Sequence, residues 1–218
     1  MPDKKIQKIT ELLSQAYGKR EAVIDDPVAV LVRTILSQNT SDTNSLAAYA
    51  SLVSSFPGWQ AVSQASNNDI AVTIKHGGLS AVKAGYIKNA LREIAARNDS
   101  IDLDFLQKMS LDEARNWLVD LPGVGIKTAN CVLLFGLGMP ALPVDTHVYR
   151  VSRRLGIIDD KTPIDKAHLA LEKKVPPDKV YAFHVLLIEH GRKTCRARNP
   201  KCDVCVLRDI CRYYKEMK

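Results

Sequence analysis

The chain has 218 residues, 46 % hydrophobic and 25 % charged, with a formal charge of +7. That length accommodates one sizeable core or two modest ones, and the composition excludes a disordered or fibrous chain. No stretch approaches the ~20 apolar residues of a membrane span, and the opening MPDKKIQKITELL lacks a signal-peptide core. No membrane partner and a cytoplasmic, nucleoid-associated location are therefore expected.

Apolar residues recur at steps of three and four almost throughout, as in Ile6, Ile9, Leu12, Leu13 and Tyr17, and no alternating strand pattern is found. The expected fold class is all-α, with about ten helices. Asp26 before Pro27 has the form of an N-cap followed by a first-turn proline, and Ser110 with Glu113 has the form of a capping box. Further helices are predicted over about 42–55, 80–97, 125–137, 146–155, 164–175 and 178–190.

In LVDLPGVGIKTANCVLL, Gly123 and Gly125 form a tight turn between two apolar helical stretches, and Lys127 lies in the opening of the second. Such a turn is either a simple helix-helix corner or, through its free backbone amides, a seat for a phosphate. Further on, Asp145 precedes the helical stretch THVYRVSRR in the position of an N-cap.

The positive charge is concentrated: Arg192 to Lys218 holds nine Lys or Arg against three Asp or Glu. This is either a solvated tail or an electrostatic seat for a polyanion. Four of the five cysteines share the segment, spaced C-x6-C-x2-C-x5-C at Cys195, Cys202, Cys205 and Cys211. In a reducing compartment they read as metal ligands, for which spacing alone leaves zinc and an iron-sulfur centre open. Cys131 reads as a buried small apolar residue. His190, with no second histidine at metal spacing, reads as a helix C-terminal residue and not a ligand.

The paired pattern LPGVG-x-K and VDTH, together with ILSQNTSD and HGRKTCRARNPKCDVC, resembles the endonuclease III-like DNA glycosylases of the helix-hairpin-helix (HhH-GPD) superfamily. The resemblance runs over nearly the whole chain. It implies two helical domains with a cleft between them: a six-helix barrel with the hairpin over 27–138, and a discontinuous iron-sulfur cluster domain of 1–26 and 139–218. It further implies a monomer acting on double-stranded DNA that contains damaged bases or abasic sites. Lys127 becomes the nucleophile, Asp145 its carboxylate partner, and the four cysteines the ligands of a structural 4Fe-4S cluster.

The chemistry suits those residue types. Cleaving a base from deoxyribose leaves positive charge at C1′, which a carboxylate stabilises. A neutral amine can attack the same carbon and form a Schiff base, after which the 3′ phosphate leaves by elimination. Partial burial beside Val124 and Ile126 is the expected means of keeping Lys127 neutral. The target must first be rotated out of the duplex and the gap filled. Gln38 or Asn39 and Leu79 match the family's intercalating positions. Gly123 and Gly125, His147, and Arg196, Arg198 and Lys201 are expected to contact sugar and phosphates, and Asp42 to lie near the cleft as a cap.

Two positions depart from the family pattern. Asn39 stands where glutamine is more usual, and Ile126 where a basic residue often precedes the lysine. The expected activity is removal of oxidised or ring-damaged pyrimidines with abasic-site lyase activity. The alternatives are a mismatch or alkylated-base glycosylase, and a non-catalytic DNA-binding module.

Overall fold

The protein, described over residues 4–217 of a computed structural model, is all-α: twelve α-helices and no strand among the described residues. The chain divides into two compact units, Ile24–Met139 and a discontinuous one of Met1–Val23 with Pro140–Lys218.

In the contiguous unit, α2 (Pro27–Ser37) is the central element. Its sequence PVAVLVRTILS is apolar on every face, and all but Arg33 and Ser37 are buried, as a helix packed on several sides requires. It starts where expected: the Asp26 side chain accepts from the Ala29 amide at 2.5 Å, with Pro27 opening the first turn. Around it lie α3 (Asp42–Ser55), α6 (Ser80–Asn98) and α8 (Ile126–Cys131). Ser41 caps α3 through the Asn44 amide, so Asp42 is the first helical residue and not the cap.

Two short helices, α4 (Trp59–Gln64) and α5 (Asn67–Thr73), pack on α6. α7 (Leu111–Val119) opens on the expected capping box, with Ser110 and Glu113 each bonding the other's backbone amide. α8 runs on into a widened π-helical turn over Val132–Gly136, closed by the Leu137 amide on the Val132 carbonyl at 3.2 Å. That turn brings Gly136 against α2: a Cβ there would stand 2.6 Å from the Pro27 Cα, so only glycine fits.

The discontinuous unit joins α1 (Lys4–Tyr17) to α9 (Thr146–Leu155), α10 (Ile164–Glu172), α11 (Val180–Lys193) and α12 (Arg212–Glu216). Ile6, Ile9 and Leu13 fall on one face of α1, and that helix packs on α11; all three are fully buried. α11 also packs against α9, whose Val148, Val151 and Leu155 face inward. Each such aliphatic side chain contributes about 1.5–3 kcal/mol by leaving water. The segment after α11 is irregular, with single 3-10 turns at Cys202–Val204 and Arg208–Ile210.

Candidate functional site

The helix-hairpin-helix turn lies between α7 and α8. Gly123 takes φ +75°, a left-handed conformation, and a Cβ there would stand 2.3 Å from Cγ of Tyr86 on α6. Gly125 is extended (φ −93°, ψ 174°), and its Cβ position faces open space. The two glycines therefore differ: the first is required by backbone and packing, the second leaves the approach to the backbone clear. No side chain caps α8, so the amides of its first turn are left for an external acceptor.

Lys127 lies in that first turn and is half-buried; within its own unit it makes no hydrogen bond or ion pair among the described residues. Val124 is buried, whereas Ile126 is 37 % exposed and presents an apolar surface beside the turn.

One loop of the same unit stands next to the hairpin, and a second lies against the first, where a Cβ on Gly78 would stand 3.9 Å from the Thr40 hydroxyl. After α2, Gln38 is half-buried, and its side-chain amide donates to the Gly123 carbonyl at 3.2 Å and to the Thr128 hydroxyl at 3.4 Å. Asn39 follows with φ +52° and is exposed. Before α6, Leu79 has φ +49° and is 57 % exposed. A branched side chain held in the left-handed region costs on the order of 1–2 kcal/mol, and such strain persists where the surroundings enforce it. Gln38 is thus committed to the hairpin, while Asn39 and Leu79 are the exposed tips.

In the discontinuous unit, Asp145 caps α9 as expected, its Oδ1 accepting from the Val148 amide at 2.7 Å. His147 lies in the first turn, with Nδ1 3.1 Å from Arg150 Nη2.

The four cysteines are all free thiols, and all four line one pocket that is partly open to solvent. Among the described residues no three His, Cys, Asp or Glu converge closely enough to hold a single metal ion, although the four cysteines share one pocket. Burial pushes the Cys205 thiol up to about 11, a Leu207 backbone bond opposing and the other three cysteines adding to the rise. Cys202 is raised by burial and then by Cys195 and Cys211. Thiols that oppose one another's ionisation need a positive centre among them to become thiolates together, and four cysteines on one pocket are the donor set of an iron-sulfur group.

Neighbouring residues that the spacing did not reveal shape this pocket. Arg154 Nη1 donates to the Arg196 carbonyl at 2.7 Å and lies 3.4 Å from Cys195 Sγ; its Nη2 donates to the Ala197 carbonyl at 3.1 Å. Arg150 Nε donates to the Cys195 carbonyl at 3.0 Å. His190, buried in the last turn of α11, places Nε2 3.6 Å from Cys205 Sγ and Nδ1 3.0 Å from the Tyr17 hydroxyl. Burial lowers its pKa to about 4. It is the helix C-terminal residue expected, and it also forms part of the wall around the thiols. Arg196, Arg198 and Lys201, on the loop between the first two cysteines, are exposed.

Comparison with known proteins accords with this arrangement. Residues 32–177 match the model of the HhH-GPD superfamily of base excision DNA repair proteins, and residues 195–211 match the iron-sulfur binding domain of endonuclease III. The chain is 36 % identical to endonuclease III of Sulfolobus acidocaldarius over 214 residues, covering 96 % of this chain and 91 % of that one. It is 36 % identical to endonuclease III of Thermotoga maritima over 190 residues, covering 87 % and 84 %. It spans 58 % of a longer Arabidopsis thaliana relative, 36 % identical over 174 residues. The fold superposes on a non-covalent endonuclease III–DNA complex with TM-score 0.81 and 26 % identity, covering 98 % of this chain and 97 % of that one. The chain thus belongs to the HhH-GPD superfamily, as an endonuclease III-type DNA glycosylase of base excision repair whose C-terminal segment carries a 4Fe-4S cluster.

Proposed function

We propose that the protein is a bifunctional DNA glycosylase and abasic-site lyase, in which Lys127 and Asp145 act on the same everted nucleotide of double-stranded DNA. The observation that carries this reading is the paired motif itself. LPGVG-x-K and VDTH lie together inside the matched residues 32–177, with Lys127 in an uncapped first turn and Asp145 the cap of α9.

The Lys127 amine attacks C1′ through its nitrogen lone pair as the C1′–N bond breaks and the base departs with its electron pair. The Asp145 carboxylate stabilises the positive charge on the sugar during this step. Opening of the sugar gives an iminium that joins Lys127 Nζ to C1′. The iminium acidifies C2′; loss of that proton expels the 3′ phosphate, and water then releases the lysine and an unsaturated aldehyde. The substrates are oxidised or ring-damaged pyrimidines and abasic sites, and the protein acts as a monomer.

The amides of Gly123, Gly125 and the first turn of α8 bind backbone phosphate, and Asn39 and Leu79 enter the stack that the everted nucleotide leaves. Gln38, already bonded to the hairpin, orients it. His147, Arg196, Arg198 and Lys201 contact the backbone. Cys195, Cys202, Cys205 and Cys211 hold the cluster, which ties down a segment too short to build a core of its own. The domains that divide these tasks are a hairpin-bearing six-helix barrel over 27–138 and the cluster domain of 1–26 and 139–218.

Borohydride trapping tests the reading. With a duplex containing thymine glycol or an abasic site, the wild-type protein forms a covalent adduct and Lys127→Gln forms none. An adduct of wild-type yield on Lys127→Gln would show that another amine is the nucleophile.

A further inference from the structure

Lys83 stands apart from the rest of the core. It occupies the first inward position of α6, ahead of Ala84, Ile87, Leu91 and Ile94, where the helical period calls for an apolar side chain. Only 2 % of it is exposed, and no carboxylate pairs with it among the described residues. Burying a lysine without a counter-charge is costly unless its donors are satisfied. Burial also pushes its pKa below the usual lysine range.

The acceptors that satisfy it explain its position. Lys83 Nζ donates to the Leu36 carbonyl and to the Gly77 carbonyl, each at 2.7 Å. Leu36 is three residues before Asn39, and Gly77 two residues before Leu79. Both tips are held in the left-handed region without being glycine. One ammonium therefore joins the bases of both loops, and the bonds are made to backbone, so they fix where each loop leaves its helix or turn. One turn along α6, Tyr86 packs against Gly123 of the hairpin, and Gln38 bonds the Gly123 carbonyl from the other side.

We infer that Lys83 is a positioning residue for lesion capture, a latch that holds the Asn39 and Leu79 loops in register so that both enter the duplex together. This rests on the reading that those two loops penetrate DNA. Lys83 touches neither base nor sugar; it acts through the loops. The consequence is selective. Entry into a stacked duplex depends on the latch, whereas Schiff-base chemistry at an abasic site in a single strand, where no stack has to be opened, does not.

The test uses the cluster-loaded, full-length protein. Insertion is read as the fluorescence rise of 2-aminopurine placed beside an uncleavable tetrahydrofuran abasic analogue in a duplex. Chemistry is read as borohydride trapping on a single-stranded oligonucleotide with a natural abasic site. Lys83→Gln keeps a donor for one carbonyl, and Lys83→Met keeps none. Each is expected to weaken duplex insertion by about tenfold, an ordinary coupling between residues in contact, while trapping on the single strand stays within about twofold. Leu79→Ala is expected to weaken insertion as well, and Lys83→Gln with Leu79→Ala to lose less than the product of the two single effects, since only the Asn39 loop is then left for the latch to hold.

Wild-type insertion by both Lys83 variants, when Leu79→Ala is impaired, would overturn the latch and leave the loop reading intact. Wild-type insertion by Leu79→Ala would overturn the loop reading, and the latch with it. A parallel loss of single-strand trapping, strict additivity in the double variant, or failure of both Lys83 variants to fold would make Lys83 a residue of general architecture and overturn the proposal.

Discussion

Gly123→Ala offers the sharpest test of how the hairpin is built. At φ +75° an L-residue loses on the order of 1–2 kcal/mol relative to a relaxed backbone. The added methyl would stand 2.3 Å from Tyr86 Cγ and 2.7 Å from its Cβ and Cδ2. These atoms lie at the root of the side chain, so swinging the phenol tip does not relieve the overlap and either α6 or the turn must shift. Overpacking of that kind costs about 1–3 kcal/mol, for a total of about 2–5 kcal/mol. Urea unfolding followed by circular dichroism measures the loss, and Tyr86→Gly, which also removes the Cβ, separates its two parts. In the double variant the overlap is gone and the backbone penalty remains, so the pair should be destabilised by about 1–3 kcal/mol less than the sum of the singles. Gly123→Ala within about 0.5 kcal/mol of wild type, or additive effects in the double variant, would refute the reasoning.

Asp145→Asn retains an oxygen for the Val148 amide, so stability should stay within about 0.5 kcal/mol while excision falls by about 10²–10³-fold; Asp145→Ala should add a capping loss of about 0.5–2 kcal/mol. Single-turnover cleavage and urea unfolding separate the two effects. Arg154→Ala removes the bonds to the Arg196 and Ala197 carbonyls, and should speed release of iron to a chelator, with Arg198→Ala as the unaffected control. Replacing Arg196, Arg198 and Lys201 singly by Ala should each lower the slope of log affinity against log salt by about 0.9 for every phosphate the side chain had neutralised, measured with duplexes of unrelated sequence. A slope unchanged in all three would remove the loop from the DNA interface.

What is legible in the sequence is mostly what is local in the chain. The caps at Asp26, Ser110 and Asp145 are legible because a side chain bonds an amide three residues on, and all three are formed. The cap of α3 falls one residue earlier than expected because Ser41 and Asp42 both suit the role, and only the backbone, extended at Ser41 and helical at Asp42, decides between them. Two glycines mark the hairpin, but not that Gly123 needs its freedom and Gly125 does not. Partners distant in sequence are hidden. Lys83 meets the Leu36 carbonyl across 47 positions, and looks from the sequence like a solvated helix lysine. Arg150 and Arg154 have the spacing of an exposed charged stripe, yet both bond backbone carbonyls more than 40 positions further on. The lack of a histidine neighbour says little about His190, because the partners that define it are a tyrosine and a thiol.

The noncontiguous unit also sets a schedule for biosynthesis. Ile6, Ile9 and Leu13 find their cover on α11, which begins 167 positions after Leu13. At a translation rate of roughly 5–20 residues per second, the nascent α1 waits on the order of ten to thirty seconds with that greasy stripe unshielded. Ile24–Met139, by contrast, is one uninterrupted stretch of chain and can collapse as soon as it clears the ribosome. The emerging polypeptide therefore holds a finished hairpin well before its sulfur ligands have been polymerised, and iron delivery waits until Cys211 has emerged.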